Sequence, residues 1–177
     1  MLALARAAIL GALMGDPLVR QNYLAPCLSL CHGVFVTLHV HGRLRGCIGV
    51  VEARDPVGES IVDCAQGAAF RDTRFLPLQA HEIPGLRIEI SALSIIAAIR
   101  PDEIEIGKHG LIVATENHRG LLLPQVAIEN RLSREQFLEE TCRKAGLPRD
   151  AWCHPQTQIY GFTCEVFSED LLAEIPG

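Results

Sequence analysis

One order of predicted elements occurs twice along this chain, and it constrains the fold more than any other feature. In its first occurrence, apolar and polar side chains alternate over residues 34–40, the chain turns at 41–43, and residues 44–51 return as a second strand. Asp55-Pro56 then supplies an N-cap and a proline at the first helical position, and residues 86–92 form a strictly alternating strand. Because short turns join antiparallel strands, this segment predicts a strand–strand–helix–strand unit.

The same order returns in the second half of the chain. It consists of a strand at 111–115, a turn at 116–120, a return segment at 121–127 that carries Pro124, a helix opened by the capping box of Ser133, and a final strand at 158–167. Gly146 and Pro148 end that helix. The order of elements therefore predicts a second unit of the same type.

The two halves, approximately residues 32–94 and 109–167, also share residues when they are aligned without gaps. The matches are His32-Gly33 with His109-Gly110, Val36 with Val113, His41 with His118, and Leu44 with Leu121. We therefore predict an α+β fold of internally duplicated strand–strand–helix–strand units, with a largely antiparallel sheet flanked by helices.

Length, charge and hydropathy limit the class of protein. The 177 residues favour one domain over 1–177, with two lobes as an alternative. The net charge is −5 and the arginines are spread among acidic residues, which argues against a nucleic-acid surface. The apolar residues 1–14 fit an amphipathic helix that ends near Gly15-Asp16-Pro17, and neither a signal peptide nor a membrane span is predicted. We expect a cytoplasmic protein that binds no membrane.

The seven cysteines are an odd number in a chain without a predicted secretory signal, so we expect reduced thiols. Soft metal ligands are supplied by Cys27, Cys31 and His32 and by His39 and His41, but no second cysteine pair has the spacing of a zinc site. The fingerprints of dinucleotide-binding, P-loop and metalloprotease sites are missing as well. We therefore predict neither a metal site nor a cofactor.

The segment Arg45-Gly46-Cys47-Ile48-Gly49 is the first candidate site. Arg45 and Cys47 are two residues apart on a predicted strand, so both side chains are expected on the same face. The glycines leave room for the close approach of a ligand or a backbone. An arginine beside a cysteine favours the thiolate and raises its reactivity. The alternative is a buried, inert cysteine with Arg45 as the partner in a structural ion pair.

A second cluster of charged residues follows the first predicted helix. Arg71 and Arg74 flank Asp72 and can clamp a carboxylate or a phosphate. Alternatively, Asp72 pairs with one of these arginines to fix the loop, while Phe70 and Phe75 anchor it in the core. The sequence leaves both interpretations open.

The third candidate lies in the second half of the chain. His109 can act as a general base, but its counterpart His32 indicates a shared structural role where a strand begins. Pro124 and Gln125 interrupt the return segment, and Glu129 follows. These residues fit a polar pocket or the capped start of a helix.

Several motifs together resemble the AMMECR-type family, in the same order and over nearly the whole chain. They are Leu44-Arg45-Gly46-Cys47-Ile48-Gly49, Phe70-Arg71-Asp72-x-Arg74-Phe75, Gly107-Lys108-His109-Gly110-Leu111, Leu123-Pro124-Gln125-Val126-Ala127-x-Glu129, and the helix from Phe137 to Leu147. Leu132 stands where many members carry a tryptophan. The resemblance implies that the motif residues line a cleft. It also implies a bacterial gene set whose other products are a Memo-like protein and a radical-SAM enzyme.

Two functions follow from these candidates. The first is a binding or scaffold protein that accepts an anionic small molecule, or a Memo-like or radical-SAM partner, through Arg45, Gly46, Arg71, Asp72, Arg74 and Gln125. The second is an enzyme that uses Cys47 as a nucleophile or redox thiol, with His109 or Glu129 moving protons. Because no complete catalytic constellation is visible, the sequence favours the binding protein.

Overall fold

The computed structural model describes residues 1–15, 33–52 and 55–169. The chain divides into two compact units, of which unit 1 comprises Met1–Leu93 with Glu165–Gly177 and unit 2 comprises Ser94–Cys164. All strand pairs described in either unit are antiparallel, and helices accompany them. The predicted α+β class with a largely antiparallel sheet is confirmed.

Unit 1 is built around a central strand with a partner on each side. Its elements are helix α1 (Leu2–Met14), strands β1 (Gly33–Val40) and β2 (Arg43–Val50), helix α2 (Val57–Phe70), a 3-10 helix (Ala80–Gly85) and strand β3 (Leu86–Leu93). Strand β1 pairs with both β2 and β3. His41 and Gly42 both have positive φ angles of 50° and 74°, the backbone of a two-residue type I′ turn between β1 and β2.

The core of unit 1 lies between β1 and the helices. Val34, Val36 and Leu38 on β1 are fully buried, and they meet the predicted small-residue face of α2. That face consists of Val57, Ile61, Cys64, Ala65 and Ala68, all of them buried. The apolar residues of the alternating pattern that predicted β1 are therefore the residues that β1 buries in the core.

Two helix boundaries in unit 1 qualify the sequence predictions. The N-cap of α2 is Pro56 and not Asp55, because Pro56 has an extended backbone with ψ 137° and the helix begins at Val57. Helix α1 has Gly15 as its C-cap, with φ 70°. The predicted end at Asp16-Pro17 lies outside the described residues, as do Cys27, Cys31 and His32.

Unit 2 also has a central strand between two partners. Its elements are strands β4 (Ala97–Ala98), β5 (His109–Ala114) and β6 (Arg119–Leu122), helices α3 (Pro124–Glu129) and α4 (Arg134–Lys144), two short 3-10 helices (Pro101–Glu103 and Ala151–Cys153), and strand β7 (Gln158–Ser168), whose last four residues belong to unit 1. Strand β5 pairs with β6 and with β7. The predicted capping box is confirmed, since the Ser133 hydroxyl accepts from the Gln136 amide at the start of α4.

The return segment predicted at 121–127 is wrong in its second part. Strand β6 ends at Leu122, and Pro124 opens helix α3. A proline has no amide hydrogen to donate to a strand partner, but its fixed φ suits the first position of a helix. The helix start that the sequence offered as the alternative for this segment is the observed one.

The order strand–strand–helix–strand is present in each unit, as β1-β2-α2-β3 and β5-β6-α4-β7. The gapless alignment does not match the turns, however. His41 is the first turn residue in unit 1, whereas His118 comes after the turn and its carbonyl accepts from the Thr115 amide. The internal duplication stays a prediction. Within the described residues, no helix combines the length and apolar character needed to cross a membrane.

Candidate functional site

The candidate site includes an irregularity in strand β2, where one extra residue is inserted opposite β1. Leu38 pairs with Gly46 and His39 pairs with Leu44, so Arg45 has no partner on β1 and forms a β-bulge. The hairpin of unit 2 keeps a continuous register from Leu111–Leu122 to Ala114–Arg119. The bulge removes the regular alternation from which a shared face for Arg45 and Cys47 was predicted.

The Arg45 side chain forms a bidentate ion pair with Glu82 on the 3-10 helix of unit 1. Its Nε and Nη2 atoms donate to the two carboxylate oxygens at 2.7 Å and 3.0 Å. The arginine and glutamate side chains are only 15% and 17% exposed. The amide of Gln79 also donates to Glu82, at 2.8 Å. Hydrogen bonds from Arg45, opposed by burial, hold the pKa of Glu82 below its ordinary value.

Cys47 is held through its backbone and its sulfur together. Its amide donates to Asp72 Oδ2 at 2.9 Å, and its carbonyl accepts from Arg74 Nη2 at 3.2 Å. On the strand's other side, the hydroxyl of the cross-strand neighbour Thr37 donates to the Cys47 sulfur at 3.3 Å. The thiol is half-buried. The charged side chains that bond to this cysteine therefore come from the loop after α2.

Asp72 and Arg74 form the second ion pair of the site. Arg74 Nε and Nη2 donate to the Asp72 carboxylate at 2.9 Å and 2.7 Å, and the Arg74 guanidinium lies 5.5 Å from the centre of the Phe75 ring. Asp72 is 5% exposed, whereas Arg74 is 58% exposed. Bonds from Arg74, and from the backbone amides of Cys47 and Arg74, outweigh burial and hold the pKa of Asp72 far below its usual range.

Gly46 allows the strand to approach helix α2. A Cβ atom at this position would lie 2.0 Å from the carbonyl oxygen of Ala68. A close approach was predicted at this glycine, and the group that approaches it is the backbone of helix α2. Because Gly46 lies between Arg45 and Cys47, this contact sets the distance between the Arg-Gly-Cys segment and helix α2.

Arg71 does not join Asp72. It donates to the side chain and the carbonyl of Asp63 at 2.6 Å and 2.9 Å, and both side chains of this pair are exposed. The loop thus follows the alternative in which one arginine, Arg74, fixes Asp72. Phe70 packs against the core of unit 1, as that alternative expects.

The candidates in unit 2 have local roles. His109 Nδ1 accepts from the Glu105 amide at 3.0 Å, which closes the turn before β5. Lys108 pairs with Glu105 at 2.8 Å. Gln125 lies in the first turn of α3 with its side-chain oxygen buried and without a partner among the described residues. Glu129 is the exposed last residue of α3. A proton-transfer role for His109 and Glu129 stays a prediction.

Two side chains of the site, Glu82 and Thr37, could not be predicted from the sequence. Glu82 lies 37 residues from its partner Arg45, and its only sequence signal is its place three residues after Gln79, where the two form a capping box. Thr37 is one polar residue in an alternating strand, and nothing in that pattern links it to Cys47. Within the residues that the structure describes, no group of three or more histidine, cysteine, aspartate or glutamate side chains could hold a metal ion.

The chain is thus an α+β protein in which an Arg-Gly-Cys segment on a bulged strand is held by two arginine–carboxylate pairs. The chain belongs to the AMMECR1 family, whose model matches residues 2–167. The family resemblance that the motifs indicated is confirmed.

Relatives of this chain are found in archaea and bacteria. It is 41% identical over 167 residues to a protein of Methanosarcina acetivorans, with 91% of this chain and 83% of that protein covered. It is 40% identical over 174 residues to a protein of Aquifex aeolicus, with coverage of 94% and 89%. The crystal structure of the uncharacterized protein PH0010 from Pyrococcus horikoshii superposes with a TM-score of 0.87 at 39% identity, covering 96% of this chain and 89% of that one.

Proposed function

We propose that this AMMECR1-family chain is a binding protein that recognises a small anionic molecule, a carboxylate or a phosphate, around Arg45, Cys47 and Arg74. The observation that carries the proposal is the state of Arg74. This guanidinium is oriented by a buried carboxylate and a backbone carbonyl, and yet it is 58% exposed.

An arginine held in this way is prepared for recognition. Its bonds to Asp72 and to the Cys47 carbonyl use Nε and Nη2. Nη1 and the exposed part of the guanidinium are then available to a ligand. Because the side chain is already ordered, a ligand does not have to supply the free energy that fixing a free arginine costs. Planar guanidinium groups suit the oxygen pairs of carboxylates and phosphates.

Titration calorimetry with a panel of small carboxylates and inorganic phosphate tests the proposal. We expect Arg74→Ala to weaken binding of the best compound by about tenfold or more, since a hydrogen bond between charged groups contributes on the order of 1.5–3 kcal/mol. Arg71→Ala is the matched control, because Arg71 is similarly exposed, at 54%, and bonds to Asp63. Equal losses in both variants, or no binding by any compound, would contradict the proposal.

Arg74→Lys separates recognition from folding. The lysine keeps the positive charge beside Asp72 but cannot donate two parallel bonds. We expect the lysine variant to melt close to the wild-type temperature and still to bind the chosen compound weakly. Wild-type affinity in a folded Arg74→Lys protein would show that the guanidinium geometry is not used.

A protein partner is the second occupant that the family resemblance suggests. A Memo-like protein or a radical-SAM enzyme with an exposed carboxylate can use the same guanidinium of Arg74. Co-purification of these partners with wild-type chain, compared with Arg74→Ala and Arg71→Ala, tests this proposal. Absence of a complex with the wild-type chain would count against it.

An enzyme that uses Cys47 is the alternative, and one observation favours it. The Thr37 hydroxyl donates to the Cys47 sulfur, and Arg74 lies against the same residue. Alkylation by iodoacetamide as a function of pH distinguishes the two functions. We expect the half-buried Cys47 to react more slowly in folded than in urea-denatured protein.

Two other cysteines calibrate that measurement. Cys153 is exposed and marks the fast limit. Cys64 is buried, and burial raises the pKa of its thiol to about 11, so it marks the slow limit. If Cys47 reacts faster than Cys153 at neutral pH, the result would contradict the binding proposal and support an enzyme that uses Cys47.

A further inference from the structure

Large apolar side chains are exposed beside both ion pairs of the site. In the described part of unit 1, the exposed side chains of this kind are those of Met14, Leu44 and Leu76. Leu44, which precedes Arg45, is 44% exposed, and Leu76, two residues after Arg74, is 83% exposed. Two of the three therefore lie within two residues of an arginine of the site.

Leu76 belongs to a run of consecutive apolar residues. In Phe75-Leu76-Pro77, the first residue is half-buried and the other two are exposed. Single exposed leucines are common on protein surfaces and need no explanation. A run of three exposes more apolar surface, and such runs are unfavourable unless they have a function.

The loop that carries Leu76 is held on both sides of this residue. The Phe75 amide donates to the Asp72 carbonyl at 3.0 Å. The amide of Leu78, whose side chain is buried, donates to the Ala69 carbonyl at 2.8 Å. Because the backbone is already fixed, a partner that covers Leu76 does not have to order the loop.

Leu44 and Leu76 lie close enough to contact the same partner. Cys47 follows Leu44 by three positions, which is about 10 Å along a strand. Arg74 Nη2 donates to the Cys47 carbonyl at 3.2 Å. Leu76 is two residues beyond Arg74, at most about 7 Å along the chain. A protein segment of a few residues spans these distances.

The exposure of Leu76 indicates what kind of partner fits. Small molecules bind in concave sites that enclose most of their surface. A leucine as exposed as Leu76 lies outside such an enclosure, whereas the surface of another protein can cover it. Apolar patches with polar residues at their rim are typical of contacts between proteins.

We propose that Leu44, Arg74, Phe75, Leu76 and Pro77 form a docking surface for another protein, and that this partner presents an aspartate or glutamate next to large apolar side chains. The acidic residue follows from charge complementarity, since Arg74 is an exposed cation beside the apolar residues. The inference rests on the part of the proposed function in which Arg74 binds the carboxylate of a protein partner, and it adds the apolar contacts.

Peptide selection tests the proposal. A phage-displayed library of random peptides is selected on the immobilised wild-type chain, and the most enriched peptide is synthesised for measurement by fluorescence anisotropy. We expect the enriched peptides to carry an acidic residue flanked by large apolar ones. We expect Leu76→Ser and Leu44→Thr each to weaken binding about tenfold, because each removes apolar surface that the peptide covers.

Met14→Ser is the matched control, since Met14 is an apolar residue of unit 1 that is 75% exposed and lies outside the proposed surface. Its affinity should equal that of the wild type. Substitutions at exposed positions change stability little, and thermal melting shows that each variant is folded. Wild-type affinity in Leu76→Ser and Leu44→Thr, or enrichment of no peptide at all, would overturn the proposal.

A second version of the peptide, with its acidic residue replaced by the amide, separates this inference from the proposed function. The exchange should weaken binding to the wild type about tenfold and have no effect in Arg74→Ala. If the exchange has no effect in the wild type, the acidic partner and the proposed role of Arg74 are both rejected. If the exchange weakens binding but Leu76→Ser and Leu44→Thr bind like the wild type, carboxylate recognition is supported and the docking surface is rejected.

Discussion

At the scale of single residues, two aspartate–arginine pairs in unit 1 have the same chemistry in different surroundings. Asp72 with Arg74 and Asp63 with Arg71 are joined by similarly short bonds, of 2.7 Å and 2.6 Å. Asp72 is 5% exposed and Asp63 is 73% exposed. Only Asp72 also binds a strand, through the Cys47 amide. Burial and this third bond decide which pair stabilises the fold.

Asp72→Asn should therefore destabilise the protein far more than Asp63→Asn. Asp72→Asn removes the charged acceptor of Arg74 and of the Cys47 amide, and we expect a loss of about 2–3 kcal/mol in the free energy of unfolding. For the exposed Asp63→Asn we expect less than about 0.5 kcal/mol. Urea unfolding of both variants measures the difference. Similar small losses would mean that the Asp72 pair is dispensable.

At the scale of elements, the decisive contact is the one between β2 and α2 at Gly46. The helix carbonyl of Ala68 occupies the space where a side chain would begin. The same arrangement occurs inside unit 2, where a Cβ at Gly120 would lie 2.3 Å from the Ala145 amide nitrogen at the end of α4. In each unit a glycine sets the distance between a strand and its helix.

Gly46→Ala tests this contact. The added methyl must displace helix backbone, and we expect a loss of about 1–3 kcal/mol, with a lower melting temperature. Gly49→Ala is the comparison on the same strand. There the nearest atoms belong to the Phe35 ring, at 2.2 Å, which can rotate. Calorimetric melting should show the larger decrease for Gly46→Ala, and the reverse order would refute this account.

Helices and strands were predictable from the sequence where their apolar residues recur at a regular spacing or where a capping motif marks their start. Strand β1 alternates because one face fills the core, and α4 begins where Ser133 and Gln136 cap it. The bulge was not predictable, because one inserted residue leaves no trace in a short alternating pattern. Nor was the Arg45–Glu82 pair, since nothing local links residues 37 positions apart. Half of the site was therefore predictable, namely the motif and the Asp72–Arg74 pair.

At the scale of the whole molecule, partly buried arginine–carboxylate pairs recur among the described residues of unit 1. Besides the two pairs of the site, Arg6 on α1 binds Glu169 at 2.6 Å and 2.8 Å, and Glu169 also accepts from the Ile88 amide on β3. Burial alone would raise the pKa of Glu169, but the bonds from Arg6 and Ile88 hold it below its ordinary value. The residue that follows β7 is thus joined to the N-terminal helix.

These lowered pKa values predict a loss of stability in acid. Glu82, Glu169 and Asp72 all have lower pKa values folded than unfolded, so their contribution is complete above their unfolded values, about 4. It is lost as the pH falls through the folded values. Urea unfolding should show little change in stability between about pH 7 and pH 5 and a decline from about pH 5 to pH 3. The decline should be shallower in Glu169→Gln, and an unchanged slope would refute this contribution.

The clamp on Cys47 has a consequence for association between molecules. Strand β2 is an edge strand, at the end of the strand order. The unpaired amide and carbonyl groups of an edge strand can pair with a strand of another molecule, which leads to aggregation. At Cys47, Asp72 and Arg74 already occupy both groups. At this residue, a carboxylate and a guanidinium of the chain itself therefore occupy the two backbone groups that a foreign strand would need.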